Sequence, residues 1–294
     1  MKKTDFEGDL KNEILIISKN MGFKIADNQD LNKILLDYLT VRTKVIEPKH
    51  RNVFVNPDFL IELKCHPKKK EIETIIKYAE NGKGLNVFQS RRVFQNNFHD
   101  HLQQEWNIYH FHLSLEKDHK SVFVKQVNSL LFAYIDKLNI VFLGSDTHKN
   151  GIFGDVKWIE VLHEHFPQLI DVYRDNTITD LYPNLNSVDR ETVWNKGLTV
   201  VMTKVKGVVY HNPGIGQMNS GHSFNISKTA NEILRWIYKL DEQIGKITSV
   251  DCEQIGISYE QAEFKIVLDK TLELIEKSTG LHLLKFPEVF EEEE

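Results

Sequence analysis

The chain has 294 residues, of which 41% are hydrophobic, so it is long enough to bury a core and form one to three domains. No stretch reaches the roughly 18 apolar residues of a membrane span, and the N-terminus lacks the apolar run of a signal peptide. We therefore expect a cytoplasmic protein with no membrane partner. Cys65 and Cys252 stand far apart and predict neither a disulfide framework nor a thiolate zinc site.

The charge is distributed unevenly along the chain. The net charge is −5, and four of the negative charges are Glu291 to Glu294 at the C-terminus. Between Arg42 and Arg92, by contrast, twelve Lys and Arg residues face six Asp and Glu residues. Such a basic region can hold phosphates, although a solvated lysine face has the same composition.

The first third of the chain predicts helices. Apolar residues recur at spacings of three and four over 5–20 and 29–43, which is typical of amphipathic helices. A third helix is predicted over 68–80, and the sequence NGKG at 81–84 ends it. We expect a helical, locally basic region over 1–85.

The hydrophobic period changes after this region. Short runs of β-branched and aromatic residues, separated by turn residues, predict an antiparallel meander, and a helix is predicted to follow it. We expect these elements to form one region over 86–170. The predicted strands are 108–114, 121–127, 129–136 and 139–146, and the helix is 155–166.

The last third, 171–294, opens with a polar loop over 171–189 that is the best candidate for a linker. A β-hairpin is expected next, and then helices. The hairpin strands are 198–204 and 207–211, joined through Lys206 and Gly207; the helices are 227–245 and 259–278; the glycine-rich loop is 212–223. The whole pattern predicts an α+β fold.

The strand 108–114 carries two histidines two residues apart. Side chains alternate along a strand, so His110 and His112 share one face while Tyr109, Phe111 and Leu113 share the other. The apolar face is expected in the core. The histidine face must then meet solvent, a cleft or another element that satisfies it.

Two imidazoles on one face can act as the acid and base of a phosphodiester cleavage, because imidazole titrates near neutrality. They can equally be metal ligands, or they can pair within the fold. Five of the thirteen histidines fall between His99 and His119, and this clustering favours a site. For zinc or manganese, the candidate ligands are His99, Asp100, His101, His110, His112 and His148.

Other side chains could complete a site. The last strand of the meander ends in GSDTHK, where His148 and Lys149 leave the sheet at a strand-to-loop junction. Ser90, Arg91 and Arg92 offer donors for a phosphate or an oxyanion. Alternatively, these residues belong to an exposed loop and a solvated basic turn that have no functional role.

The segments FQSRR, FHDHLQQEWNIYHFHLS, LLFAYI and NIVFLGSDTHK together resemble a recurring, uncharacterised family of bacterial proteins with an HxHL strand. The resemblance extends from about residue 40 to residue 240. In outline, 121–148 is also similar to the RelE-like ribonuclease toxins, in which a small antiparallel sheet presents side chains that cleave RNA without a metal. This resemblance implies a toxin or phage-defence role and an antitoxin partner.

Three hypotheses follow for the function. The first is a nucleic-acid hydrolase, most simply an RNase, in which His110 and His112 are the acid/base pair and His148, Lys149 or Arg91 stabilises the phosphorane; it requires no cofactor. The second is a zinc- or manganese-dependent hydrolase at the same histidines. The third is a non-enzymatic protein whose basic region binds nucleic acid or a protein partner.

Overall fold

The computed structural model describes residues 4–218, 221–254, 256–268 and 271–286. Helices and antiparallel sheets are both present, so the protein is α+β, as the sequence predicts. In chain order, the elements are α1 (Phe6–Asn20), α2 (Leu31–Arg42), β1 (Asn52–Val55), α3 (Pro57–Glu62), α4 (Lys69–Glu80), α5 (His101–Trp106), β2 (Ile108–His112), β3 (Ser129–Ile135), β4 (Asn139–Thr147), α6 (Lys157–His165), β5 (Arg174–Asp175), α7 (Ser187–Asn195), β6 (Met202–Val205), β7 (Val208–His211), α8 (Phe224–Ile244), α9 (Ser249–Gln254), β8 (Phe264–Leu268), β9 (Leu272–Glu276) and β10 (His282–Lys285).

The chain divides into two compact units. A terminal unit combines the residues up to Arg42 with those from Ile226 onward, and a central unit runs from Thr43 to Asn225. This division differs from three consecutive regions at 1–85, 86–170 and 171–294. The polar loop 171–189 lies inside the central unit and does not separate the two. Contacts between the two ends of the chain do not change local composition, so the sequence does not predict this arrangement.

The terminal unit contains an antiparallel sheet of order β10-β9-β8. The amide of Ile266 in β8 donates a hydrogen bond to the Asp9 carboxylate of α1 at 3.2 Å, which ties the helix to the strand. The prediction of one helix over 259–278 is therefore wrong. Phe264, Ile266 and Leu268 are buried and alternate with less buried residues, a period of two that specifies a strand.

The central unit is built on a four-stranded sheet of order β1-β4-β3-β2. Strands β2, β3 and β4 form the predicted antiparallel meander, and β1 adds to it in parallel with β4. The predicted strand over 121–127 is wrong, because only an isolated bridge joins Lys117 to Val124. The Asp118 side chain accepts hydrogen bonds from the Lys120 amide and the Ser121 hydroxyl, and this turn replaces a strand.

Both faces of the central sheet are covered. On the first face, the core includes Phe59 of α3, residues of α4, and Phe111 of β2. On the second face, α5 and α6 pack on the sheet, and Trp158 stacks on Phe132 with ring centroids 4.1 Å apart. All five residues of β2 are buried as a result.

Strand β4 contains a β-bulge at Leu143. This residue stands between the two that pair with Phe132 and Ala133 of β3. A bulge inserts one residue and shifts the alternation of side chains. Ser145 therefore points toward the first face, where it contacts His66, and Asp146 points toward α6.

The predicted hairpin is confirmed as β6 and β7. Its turn residues Lys206 and Gly207 both have positive φ angles, of 47° and 85°. Two consecutive positive φ angles are the requirement of a type I′ turn, and the twist of that turn matches a two-strand hairpin.

A buried polar network connects this hairpin to α5 and α7. Arg190 Nη1 donates to Thr203 Oγ1 at 2.9 Å, and that hydroxyl donates to Asn212 Oδ1 at 2.8 Å. Glu105 of α5 is only 2% exposed, and its burial raises the pKa of the carboxyl to about 7. Burial lowers the pKa of Arg190 to about 10. The network fixes α5, which begins immediately after Asp100.

Candidate histidine site

Strand β2 places His110 and His112 on the second face of the sheet. Their register partners on β3 are Phe132 and Leu130, both in the core of that face. Phe111 lies in the core of the first face, so the predicted alternation is confirmed. The sequence left open whether this face meets solvent, a cleft or another element. In the structure, other elements pack against it, and all of β2 is buried.

His148 completes a cluster of three imidazoles. It follows β4, and its amide donates to the Asn128 carbonyl at 2.8 Å, which fixes the loop beside β3. Ring centroids lie 6.2 Å apart for His110 and His112, 6.0 Å for His112 and His148, and 6.4 Å for His110 and His148. We refer to these three residues as the histidine cluster. The sequence predicted all three as site residues, and the fold brings them together.

Two of the rings have a defined second contact. His110 Nδ1 lies 3.1 Å from Asp100 Oδ2. The atoms are not aligned for a hydrogen bond, so the contact is electrostatic. His112 Nδ1 lies 2.9 Å from the Val127 carbonyl, to which it can donate. Catalytic and metal-bound histidines are oriented through one nitrogen in this way, which leaves the other for chemistry.

The three histidines of the cluster differ in burial and in the charges beside them. His110 and His112 are 7% and 4% exposed, whereas His148 is exposed. Burial lowers the pKa of His112 to about 4, and burial together with His110 lowers the pKa of His148. Burial works to raise the pKa of Asp100, but His110 and the Gln103 amide outweigh it, so that carboxyl has a lowered pKa. At neutral pH, His112 is a neutral imidazole and Asp100 is a carboxylate.

The turn at 151–154 covers the cluster. Phe153 packs on His110 and His148, with ring centroids at 4.9 and 5.3 Å. The Glu191 carboxylate of α7 holds this turn, since it accepts hydrogen bonds from the amides of Gly151, Phe153 and Gly154. Of the three rings of the cluster, His148 is the one that is exposed.

The histidines upstream of β2 do not join the cluster. Asp100 caps α5 by accepting from the Gln103 amide at 3.2 Å, and its other oxygen faces His110. His101 instead stacks on Trp194, with ring centroids 5.4 Å apart. His99 Nδ1 lies 3.4 Å from the Gln104 side chain. A helix start turns successive side chains in different directions, so only the capping residue reaches the strand.

A narrow pocket also borders His110. It is lined by Lys44, Ser90, Asp100 and further side chains, and its volume of about 10 Å³ is near the minimum for one water molecule. Lys44 donates to the carbonyls of Gln95 and Phe98. Burial is the main cause that lowers the pKa of Lys44 to about 8.

The three predicted phosphate-binding residues take different positions. Ser90 lines the pocket beside His110. The Arg92 guanidinium lies 4.2 Å from the ring centroid of Phe98, another residue of the pocket wall. Arg91 turns outward, and its Nη1 lies 3.1 Å from Asp118.

Other predicted features lie elsewhere. Lys149 Nζ contacts the Asp146 carboxylate at 2.9 Å. The glycine-rich loop 212–223 includes 219–220, which lie outside the described residues, as does the acidic tail 291–294.

Sequence reasoning missed Lys44, Phe153 and Glu191. Lys44 is indistinguishable in the sequence from the exposed lysines around it, and Glu191 is one of many helix carboxylates. A signal for the turn was present in the glycines that flank Phe153. Gly154 is required there, because a Cβ atom would lie 2.2 Å from the Ser187 carbonyl oxygen.

No known family model, curated protein or solved structure matches the chain. The resemblance to the HxHL bacterial family and to RelE-like toxins therefore depends on the sequence features alone. In the described ranges, no group of three or more His, Cys, Asp or Glu side chains is arranged to hold a metal ion. Every helix in those ranges is too short or too polar to cross a lipid bilayer.

Proposed function

We propose that the histidine cluster is the catalytic centre of a phosphodiester hydrolase that acts on RNA. The observation that carries the proposal is the convergence of His110, His112 and His148 within 6.4 Å of one another, with one ring beside a carboxylate and another held neutral. Acid/base catalysis requires two titratable groups whose environments favour opposite protonation states.

The environments suggest a role for each ring. His112 has a pKa of about 4, so at neutral pH it is a neutral imidazole, the form that a general base has before it takes a proton. The Asp100 carboxylate lies 3.1 Å from His110 Nδ1 and orients this ring, which we assign as the general acid. His148 is the exposed member and is placed to contact the substrate. A phosphodiester reaches the inner rings from this side, past Phe153.

Two of the predicted phosphate-binding residues lie near His110 and favour a polyanionic substrate. The Arg92 guanidinium stacks on Phe98, which lines the pocket beside His110, and Ser90 lines the same pocket. Cations near the site attract phosphates and release counterions on binding. We assign no catalytic role to Arg91 or Lys149, because each pairs with an aspartate, Asp118 and Asp146 respectively.

Cleavage of a fluorescent RNA by the full chain tests the proposal. His110→Ala and His112→Ala should each lower the rate by about 10²- to 10⁴-fold, the usual contribution of one acid or base. His148→Ala should also lower it, and because this ring is exposed, loss of folding will not confuse the result. His119→Ala is the matched control, since His119 is exposed and lies outside the cluster. Full activity in the three cluster variants would refute the proposal.

The metal-dependent alternative has one observation in its favour. His110 and His112 are each oriented through Nδ1, by Asp100 and by the Val127 carbonyl, as metal-bound histidines usually are. Loss of cleavage in a chelator, with recovery on added zinc or manganese, would support this function over the metal-free one. Salt-dependent RNA binding with no cleavage would instead support the regulatory hypothesis.

A further inference from the structure

A crevice lined by residues of α6 lies where β1 and β4 run parallel. These strands are neighbours, with Asn52 opposite Asn139 and Val55 opposite Phe142. After β1 the chain enters α3, whose Phe59 packs on the first face of the sheet. After β4 it enters α6, which packs on the second face.

Adjacent parallel strands whose connections leave to opposite faces form a topological switch point. The two connections diverge and leave a crevice outside the carboxyl ends of the strands, where open α/β sheets bind their ligands. The structure contains a cavity of about 190 Å³ at this place. We call it the β1/β4 crevice; its walls come from α3, from β4 after the bulge, and from α6.

The walls of the crevice carry an anionic and a cationic side chain. Glu62 at the end of α3 is exposed and has no ion-pair partner among the described residues. On the α6 side, Lys157 contacts Asp146 within hydrogen-bond distance and lies 3.8 Å from Asp155, so its three N–H donors are not all used by these carboxylates. Lys149 and Lys157 also hold the pKa of Asp146 at about 2, against the effect of its burial.

Ser145 adds a directed donor between these walls. His66 Nδ1 accepts a hydrogen bond from the Lys68 amide at 3.0 Å, so its proton is on Nε2. That nitrogen lies 2.9 Å from Ser145 Oγ and donates to it. His66 therefore cannot act as a base for Ser145, and the hydroxyl proton remains for a ligand acceptor. This arrangement suits binding rather than nucleophilic catalysis.

We infer that the β1/β4 crevice binds a small zwitterion, a free α-amino acid with an apolar side chain. Its carboxylate contacts Lys157 and the Ser145 hydroxyl, and its ammonium group contacts Glu62. The side chain packs on the apolar lining, which includes Phe59, Trp158 and Val161. A cavity of this volume admits an amino acid and excludes a nucleotide, whose pockets usually exceed about 300 Å³.

Isothermal titration of the full chain with leucine and methionine tests the inference. Saturable binding is expected, and Glu62→Gln and Lys157→Gln should each raise the dissociation constant by about 10- to 100-fold, the contribution of a charge-assisted hydrogen bond. Glu73→Gln, on the exposed face of α4, is the matched control and should leave binding unchanged. His112→Ala should also leave it unchanged, because the crevice does not include the histidine cluster.

Two compounds with one charge each sharpen the result. 4-Methylpentanoate retains only the carboxylate of leucine, and isoamylamine retains only the amine, so each should bind at least about tenfold more weakly than leucine. The inference is overturned if neither amino acid binds at millimolar concentration. It is also overturned if Glu62→Gln and Lys157→Gln bind leucine as the unaltered chain does, or if 4-methylpentanoate binds as tightly as leucine.

Discussion

Replacing Glu105 by Gln should make the protein more stable at alkaline pH. The carboxyl is 2% exposed and its pKa is raised from 4.5 to about 7, because burial penalises the charged form. The folded state therefore binds this proton more tightly than the unfolded state does. The free energy of unfolding must fall as the pH rises from 4.5 to about 7 and then level off. Gln has the same shape and does not titrate.

The size of this effect follows from the interval between the two pKa values. At about 1.4 kcal/mol for each pH unit, the change from 4.5 to about 7 corresponds to about 3 kcal/mol. Arg190 does not add to the slope, because its pKa of about 10 keeps it protonated throughout this range. The difference in unfolding free energy between Glu105→Gln and the unaltered chain should thus shift by about 3 kcal/mol between pH 4.5 and pH 8.

Urea unfolding followed by tryptophan fluorescence is the suitable assay. Three of the four tryptophans, Trp106, Trp158 and Trp194, belong to the central unit, so the signal reports mainly on the unit that contains Glu105. Glu73→Gln on the surface of α4 serves as the control. A pH-independent difference between Glu105→Gln and the unaltered chain would show that this carboxyl is already ionised in the folded state, and would refute the reasoning.

Three further substitutions test the packing around the cluster. Asp100→Asn should lower RNA cleavage by about 10- to 100-fold with an unchanged melting temperature, because Asn still caps the helix but loses the charged contact that orients His110; steady-state kinetics and thermal unfolding measure the two effects. Gly154→Ala should cost about 1–3 kcal/mol of stability through the clash with the Ser187 carbonyl, whereas Gly84→Ala, with no contact closer than 4.0 Å, should cost far less in the same urea titration. Glu191→Gln should destabilise the turn by about 1–3 kcal/mol, since an amide has one acceptor oxygen where the carboxylate has two, and faster hydrogen exchange of the turn amides would reveal it.

Local pattern was sufficient to predict the elements that carry the site. The alternation in 108–112 placed His110 and His112 on one face, and the meander brought His148 beside them. These features depend on neighbouring strands joined by short connections, which the sequence encodes locally. The hairpin turn at Lys206 and Gly207 was predicted for the same reason.

Long-range contacts were beyond the reach of the same reasoning. The pairing of β1 with β4 joins residues about ninety positions apart, and without it neither the parallel strands nor the crevice can be foreseen. The histidine face is covered by Phe153 and by the elements on that side of the sheet. The alternation of residues along β2 does not predict this cover. The strand pair in 259–278 was predicted as a helix because leucine and isoleucine in 272–276 satisfy both periods over so short a span.

The bulge at Leu143 decides which side chains of β4 reach each side of the sheet. If β4 kept Leu143 but paired with β3 without the bulge, strict alternation would continue, and the hydroxyl of Ser145 and the carboxylate of Asp146 would exchange sides. The same shift would move His148 by one position relative to β3, away from its two partner rings. Homologous chains that keep every one of these side chains but pair β4 without a bulge would then possess neither site.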